Sequence, residues 1–471
     1  MDVMLGGTAR GPLAGVRALD LSTVVSGPFC TQVLGDLGAD VWKIENPRGD
    51  STRMMGPPFK GGLTPIFAHF NRNKRSVVVD LKQPEGLAVV RRLVARADVL
   101  VENFRPGVME RLGLGYAELA ADNPGLVYVS VNGFGSDGPY RDLPAYDNVI
   151  QGLVGFAAVQ GGGGTPSLVR CIAADKTTGT TAVYATLAAL FARARGDGRG
   201  QHVEVPMLDS YAAFMLPDVL GAATFDPPPQ GGSGTPSLVR CIAADKTTGT
   251  TAVYATLAAL FARERGDGRG QHVEVPMLDA YAAFMLPDVL GPATFDPPPE
   301  GGSFDMSRVH RAWQTADGHI VMMIIEDHQF QGLCRALERE DLMADPRFAT
   351  LMDRVANLDT VLALAEQEFR KWPTAELIKR ARRFGAPLAP VNDIATFLAD
   401  PQVAASGAVI AMEDAEAGPM RFLASPARFP ETPTSFRRMP PRLGAHTDEV
   451  LGEAGFGAEE IGALRAGNAV F

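Results

Sequence analysis

An α/β fold with a mainly parallel sheet, followed by a smaller second domain, is what this chain predicts. Two observations carry the first part: the chain opens as strand, helix, strand, and the same alternation of strand-like and helix-like segments continues for more than a hundred residues. The stretch "GVRALDLS" alternates and carries Val16, Leu19 and Leu21, so it reads as the first strand. Beyond "GP", Phe29, Val33, Leu34 and Leu37 recur at helical spacing, Gly38 stops that helix, and "DVWKIE" is a second strand ending at Glu45. "KRSVVVDL", the helix "PEGLAVVRRLVAR", the strand "ADVLVEN" and then "LVYVSVNGFG" extend the pattern. Strands and short helices run from "SRVHRAWQTADGHIVMMI" to "RFGAPLAPVND" and make the smaller domain, with a proline-rich segment at 426–442 before a last short helix.

Residues 161–230 recur almost unchanged as 231–300. Over 70 paired positions only Gly163/Ser233, Ala194/Glu264, Ser210/Ala280, Ala222/Pro292 and Gln230/Glu300 differ. Solenoids carry three or more units with drifted ends, so two near-identical units are a tandem duplication, joined through "VQGGGGTP" and "PQGGSGTP". Each unit reads as helix, strand, helix. The first helix starts near Thr177 and places Val183, Leu187, Leu190 and Phe191 at i, i+4, i+7 and i+8; "GDGRG" turns into the strand "QHVEV", and a second helix follows from Met207. The expected organisation is 1–230 for the first part of the large domain, 231–300 for the duplicated unit, 301–400 for the small domain, and 401–471 for a return to the large domain.

At 471 residues, 46% hydrophobic and 21% charged, the chain can bury a large core. A net charge of -10 argues against nucleic acid or a membrane surface as partner, and the one basic patch found is "NRNKRS" at 71–76. No apolar run approaches the ~18 residues of a spanning helix, and the N-terminus lacks an apolar signal core, so a cytoplasmic location is expected. Cys30, Cys171, Cys241 and Cys334 make no CxxC pair, which fits a reducing compartment.

The motifs narrow the chemistry. "GFGSDG" at 133–138 matches GxGxxG, but Pro139, Tyr140 and "RDLP" follow where a dinucleotide cradle needs a helix start. The turn after the first strand, "STVVSGPF", holds a single glycine, and no GxxxxGK[ST] exists. Seven histidines make no HxxxH or HExxH spacing, so no metal site is expected. Asp175, in "AADKTTG", stands at a helix start. It reads either as an N-cap or as a carboxylate nucleophile, since a helix N-terminus favours the ionised form and a dry carboxylate beside a thioester can form an acyl-aspartyl anhydride. Asp245 repeats it in an identical heptapeptide.

Eight segments in order, "SGPFCTQVLGDLGADVWKIENPRGDSTR", "NRNKRSVVVDLK", "ADVLVENFRPGVMERLGL", "VNGFGSDGPY", "AYDNVIQGLVG", "AADKTTG" with "GRGQHVEVPMLD", "RFGAPLAPV" and "PRLGAHTDEVL", resemble the class III CoA-transferases. These are the formyl-CoA, carnitine-CoA and bile-acid-CoA transferases, to which the α-methylacyl-CoA racemases are related. The resemblance implies a Rossmann-like large domain built from both ends of the chain, a small middle domain, and a homodimer of interlocked rings. It implies Asp175, or its copy Asp245, as the nucleophile, and Tyr146 and Val25 in the acyl pocket. Lys74, Arg75, Asn103, Phe104 and Arg105 would cradle CoA, whose phosphates need cations and whose adenine can stack on Phe or Arg. A glycine-rich loop over the site would correspond to "EGGSF" at 300–304. Tyrosine at 146, a poor base near neutral pH, favours transfer over racemisation, and valine at 25 hints at a less polar acyl group than formate or oxalate. The implied activity moves CoA from an acyl-CoA to a carboxylic acid with no metal or redox cofactor. An α-methylacyl-CoA racemase and an inactive CoA-binding paralogue are the alternatives.

Overall fold

The computed structural model describes residues 11–55, 63–161, 165–169, 171–216, 242–288, 291–297, 309–414, 418–434, 439 and 446–467. The "EGGSF" loop lies outside them. The first half runs β1 (Arg17–Asp20), α1 (Ser26–Asp36), β2 (Asp40–Glu45), α2 (Pro65–Asn71), β3 (Lys74–Val78), α3 (Pro84–Val94), β4 (Val99–Glu102), α4 (Val108–Arg111), α5 (Tyr116–Asp122) and β5 (Val127–Asn132). It continues with α6 (Asp147–Leu153), α7 (Phe156–Gly161), α8 (Ala173–Arg195), β6 (His202–Pro206) and α9 (Met207–Met215). The strands lie in the order β3-β2-β1-β4-β5-β6, and every pairing is parallel. This is the doubly wound order whose strand sequence reverses between β1 and β4, where ligands settle beyond the carboxyl ends of the strands.

β1 and β4 are buried along nearly their whole length, as parallel strands covered on both faces must be. One face carries α1 and α8 over Val99, Val101, Val127, Val129, Val203 and Val205. The other carries Val90 and Val94 of α3 and Leu119 of α5 over Leu19, Leu100 and Tyr128.

The second copy forms α10 (Ala243–Arg265) and α11 (Met277–Met285), but 271–276 is not a strand, which corrects the expected helix-strand-helix. The reason is hydrogen bonding: a strand needs a neighbour for its backbone groups, and unit one's "HVEV" already holds the edge of β5. α10 lies against the large domain with Ala258 and Phe261 buried.

The small domain folds around an antiparallel sheet of β7 (Trp313–Gln314), β8 (His319–Met322) and β9 (Leu388–Pro390), with α12 (Asp327–Ala336), α13 (Leu351–Ala356), α14 (Leu358–Phe369) and α15 (Thr374–Phe384). Its seat is α6. The Asn392 amide donates to Gly152 O at 3.0 Å and Asn392 Nδ2 to Leu153 O at 2.9 Å. A Cβ on Gly152 would stand 2.4 Å from Val321, so only glycine fits there. α16 (Ile394–Leu398) and α17 (Pro401–Ser406) lead into the hairpin β10 (Val409–Asp414) and β11 (Gly418–Leu423). Arg428 then exchanges both backbone hydrogen bonds with Glu204 of β6, bringing the chain back to the large sheet before α18 (Thr447–Glu453) and α19 (Ala458–Ala466). After β5 no helix begins before α6, and the glycines of "GFGSDG" serve packing: Cβ atoms on Gly133, Gly135 and Gly138 would meet Ala145, Arg428 and Gln402.

Candidate active site

Two helix N-termini meet beside the switch point. α1 starts directly after the turn that leaves β1, and α8 crosses it so closely that a Cβ on Gly179 would lie 2.7 Å from Ser26 O and 2.9 Å from the Phe29 ring. Gly179 therefore sets the depth of the crossing. One turn earlier on α8, Asp175 Oδ1 accepts a hydrogen bond from the Ser26 hydroxyl.

Asp175 does not cap its own helix. α8 begins at Ala173, earlier than its apolar periodicity suggests, and the N-cap position is Ile172, which has no side-chain acceptor. The capping is supplied from another element: Asp147 Oδ1, on α6, accepts from the amides of Ala174 at 2.7 Å and Asp175 at 3.2 Å. A side chain thus satisfies two of the donors that every helix start leaves open. Gln151 Nε2 donates to the other oxygen of Asp147 at 2.7 Å, and the buried His310 ring stands 4.0 Å from it. Burial first, and the neighbouring charge of Asp175 second, push the Asp147 carboxyl well above the usual carboxylate range.

Tyr146 sits at the N-cap of α6, half-buried, and its Oη accepts from Gln329 Nε2 of α12 at 2.8 Å. The small domain thereby closes on the site. Burial raises the phenol further above neutrality. Asn103 joins the two halves of the switch point: its side chain accepts from the Thr23 amide at 2.9 Å and donates to Thr23 O at 2.7 Å. Phe104 is partly buried and its amide donates to Glu102 at 2.8 Å, while Arg105 is exposed.

Other expected residues stand differently. Val25 is 2% exposed, packed with Cys30 and Phe29 in the core at the start of α1, and Val24 before it holds φ at 69°, a strained value for a β-branched residue. Lys74 turns inward, donating to Asp20 at 2.9 Å, Pro28 O at 2.8 Å and Asn71 at 3.0 Å. Burial lowers its ammonium to about 8 in spite of Asp20. Burial would raise Asp20, yet Lys74 and Lys43 outweigh it and hold that carboxyl far below its ordinary range. Arg75 lies on the edge strand, exposed and paired with Asp40 at 2.9 and 2.5 Å. Ser26, Asp147 and Gln329 do not stand out in the sequence, although Ser26 and Asp147 lie inside quoted motifs. Gln329 has no local signal.

The two aspartates separate sharply. Asp245 is exposed on α10, and a Cβ on Gly249, the counterpart of Gly179, would meet nothing within 4 Å where one on Gly179 meets α1.

The sequence profile of CoA-transferase family III matches residues 13–235 and again 221–447. The chain belongs to CoA-transferase family III. Two overlapping matches on one chain agree with its duplication. This family III CoA-transferase is similar to a succinate–glutarate CoA-transferase of Agrobacterium fabrum, 32% identical over 94% of the chain and 96% of the relative. It is similar also to the β subunit of a succinyl-CoA–L-malate CoA-transferase of Chloroflexus aurantiacus, 32% identical over 98% and 99%. A crystal structure of a CAIB/BAIF family protein from Brucella suis is 29% identical over 94% of this chain and 99% of that one, with a TM-score of 0.45.

Proposed function

We propose that Asp175 is the nucleophile that carries CoA from an acyl-CoA donor to a carboxylic acid. The observation behind this reading is that Asp175, unlike its copy Asp245, is packed into the fold and held by Ser26 at the meeting of two helix N-termini. Those N-termini favour its ionised form. The Asp175 carboxylate attacks the donor carbonyl, the C–S bond breaks, and a mixed anhydride forms with CoA thiolate released. The thiolate attacks the aspartyl carbonyl, expelling the donor as a carboxylate and leaving an aspartyl-CoA thioester. The acceptor carboxylate attacks that thioester, releases the thiolate again and forms a second anhydride; the thiolate then takes the new acyl group and frees Asp175. The positive end of α1 is suited to the oxyanions of these steps.

CoA is assigned to the crevice between β1 and β4, with Asn103 fixing its floor and Arg105 offering a cation to phosphate. Lys74, bonded to Asp20, acts from beneath by shaping the turn after β1. The raised phenol of Tyr146 makes it a poor base, which supports transfer over racemisation. Short dicarboxylates are the class to try first, because the relatives above are named for succinate, glutarate and malate.

The test compares Asp175→Asn with Asp245→Asn. The first should lose about a thousandfold or more in turnover, and the second should keep the parent rate. With acyl-CoA and hydroxylamine, mass spectrometry of Asp245→Asn, in which the two otherwise identical peptides differ in mass, should find hydroxamate on the peptide that keeps its aspartate, Asp175. Full turnover in Asp175→Asn would discard the assignment.

A further inference from the structure

Val24, at φ 69°, holds a left-handed backbone that a β-branched side chain adopts only at a cost. Such a conformation persists where its surroundings over-determine it. Here they do, because successive residues of the turn between β1 and α1 are each gripped by a side chain from elsewhere in the chain. Lys43 Nζ of β2 donates to Ser22 O at 3.0 Å, the Asn103 side chain holds Thr23 on both sides of its backbone, and the Val24 amide donates to Asp50 Oδ1 at 3.3 Å. Ser22 is pressed against the first turn of α1, where a Cβ on Gly27 would lie 2.3 Å from the Ser22 Cβ. Turn and helix start therefore move together.

The grips on Ser22 and Val24 belong to one buried ion pair. Lys43 Nζ stands 3.0 Å from Asp50 Oδ2, and the two side chains are 1% and 0% exposed. Asp50 is itself fixed: Oδ1 also accepts from the Thr52 amide at 2.9 Å and the Thr52 hydroxyl at 2.7 Å, and the Asp50 amide donates to Glu45 at 3.0 Å. Asp20, paired with Lys74 at 2.9 Å and 3.9 Å from Lys43, accepts from the Ser22 amide at 2.9 Å. A buried ion pair is a weak source of stability, because desolvation offsets the attraction, and its better-attested use is to fix one arrangement against others. What this pair fixes lies directly before Val25, the N-cap of α1, and so directly behind Ser26.

We propose that Lys43 and Asp50 are positioning residues for CoA transfer: by holding Val24 in the left-handed region they aim the Ser26 hydroxyl and the positive end of α1 at the Asp175 carboxylate. This rests on Asp175 as the nucleophile. With the pair weakened, Val24 relaxes to negative φ, the start of α1 turns with it, and the hydroxyl leaves Asp175. A glycine at 24 needs no such hold, because it takes positive φ without steric cost.

The test is whether glycine at 24 cancels the effect of weakening the pair. Asp50→Asn keeps an acceptor for the Val24 amide but removes the charge opposite Lys43. It should lower kcat about tenfold with the donor KM within about threefold of the parent's. In the Val24→Gly background the same substitution should cost less than about twofold. A merely structural role of Asp50 would cost the same in both backgrounds, so equal losses overturn the proposal, as does an Asp50→Asn enzyme with the parent's kcat. Cys30, buried on α1 one turn beyond Ser26, gives a readout that does not depend on the chemistry. Its labelling by N-ethylmaleimide, followed by mass spectrometry of its peptide, should quicken about tenfold in Asp50→Asn, and in Asp50→Asn with Val24→Gly should stay within about twofold of Val24→Gly alone. Unchanged labelling in Asp50→Asn overturns the proposal, and so does fast labelling that glycine at 24 leaves unslowed. Full turnover in Asp175→Asn would discard the nucleophile reading alone, and Cys30 would still decide whether the pair holds the turn. Should Asp50→Asn fail to fold, Lys43→Gln removes the charge from the other side of the pair and carries the same readouts with the same overturning outcomes.

Discussion

The hydroxyl of Ser26 spends its proton on Asp175, and it comes from a helix 149 residues away in the chain. Hydrogen bonds to charged groups contribute about 1.5–3 kcal/mol, so Ser26→Ala should lower kcat by roughly ten- to a hundredfold while the fold, measured by circular dichroism, stays intact. A rate equal to the parent's would show that the bond neither orients nor ionises the nucleophile. Such pairs are beyond the reach of sequence. "AADKTTG" displays an acidic helix start, but not that Asp147 of another helix supplies the cap and so leaves Asp175 to other work. Glu102, just before Asn103, offers a pH test. Burial raises its carboxyl to about 7, against hydrogen bonds from Ser130 and the Phe104 amide that lower it. The folded state therefore binds this proton more tightly than the unfolded chain. Its contribution is fully present below the ordinary value of 4.5 and is lost as pH rises through about 7. Glu102→Gln should remove that slope, so the variant gains on the parent by at most about 3 kcal/mol between about pH 5 and about pH 8 in urea titrations. Parallel stability curves for the two proteins would mean that the carboxyl does not titrate in this range.

At the scale of elements, one sequence in two environments gives a controlled comparison. "QHVEVPML" is a strand entering a helix in unit one, and a strandless segment before a helix in unit two. Leu208→Ala should cost about 2–5 kcal/mol, as a buried leucine in a packed site does, while Leu278→Ala should stay within about 0.5 kcal/mol. Urea midpoints of the two variants measure the difference; equal midpoints would mean that the two leucines are packed alike, and the reverse order would place unit two, not unit one, in the core. The strands of the large sheet were legible because each carries its own apolar run, and the β1-α1-β2 start was legible from Gly38 and the helical spacing before it. What no local pattern could say is which copy takes the sheet edge, since only one set of β5 hydrogen-bonding groups is there to be taken. The glycines report the answer only in three dimensions: a Cβ on Gly200 would lie 2.0 Å from Leu126 O, whereas Gly270 has nothing within 4 Å.

For the whole molecule, the question is what the second unit does to the enzyme. The residues of the proposed site, Ser26, Asp147, Tyr146 and Asp175, remain if 231–300 is deleted, and the join keeps its local sequence, since Gln230 is then followed by "GGSF" in place of "GGSG". One contact shows that the chain is a hybrid. Thr294, from the end of unit two, pairs with His69 of α2 at 3.1 Å, and in the deleted chain Thr224 is the residue of the same sequence context. Against this stands the loss of Ala258 and Phe261, which α10 packs against the large domain. Removing them bares apolar surface on α8, against which α10 packs, and bared apolar surface of this kind seeks a partner. The deleted chain should therefore keep CoA transfer per site and should associate more strongly than the full chain. Sedimentation of both chains at equal micromolar concentration measures it. A deleted chain that is active and wholly monomeric would show that the face needs no cover, and a soluble but inactive one would show that unit two has become part of the site's support.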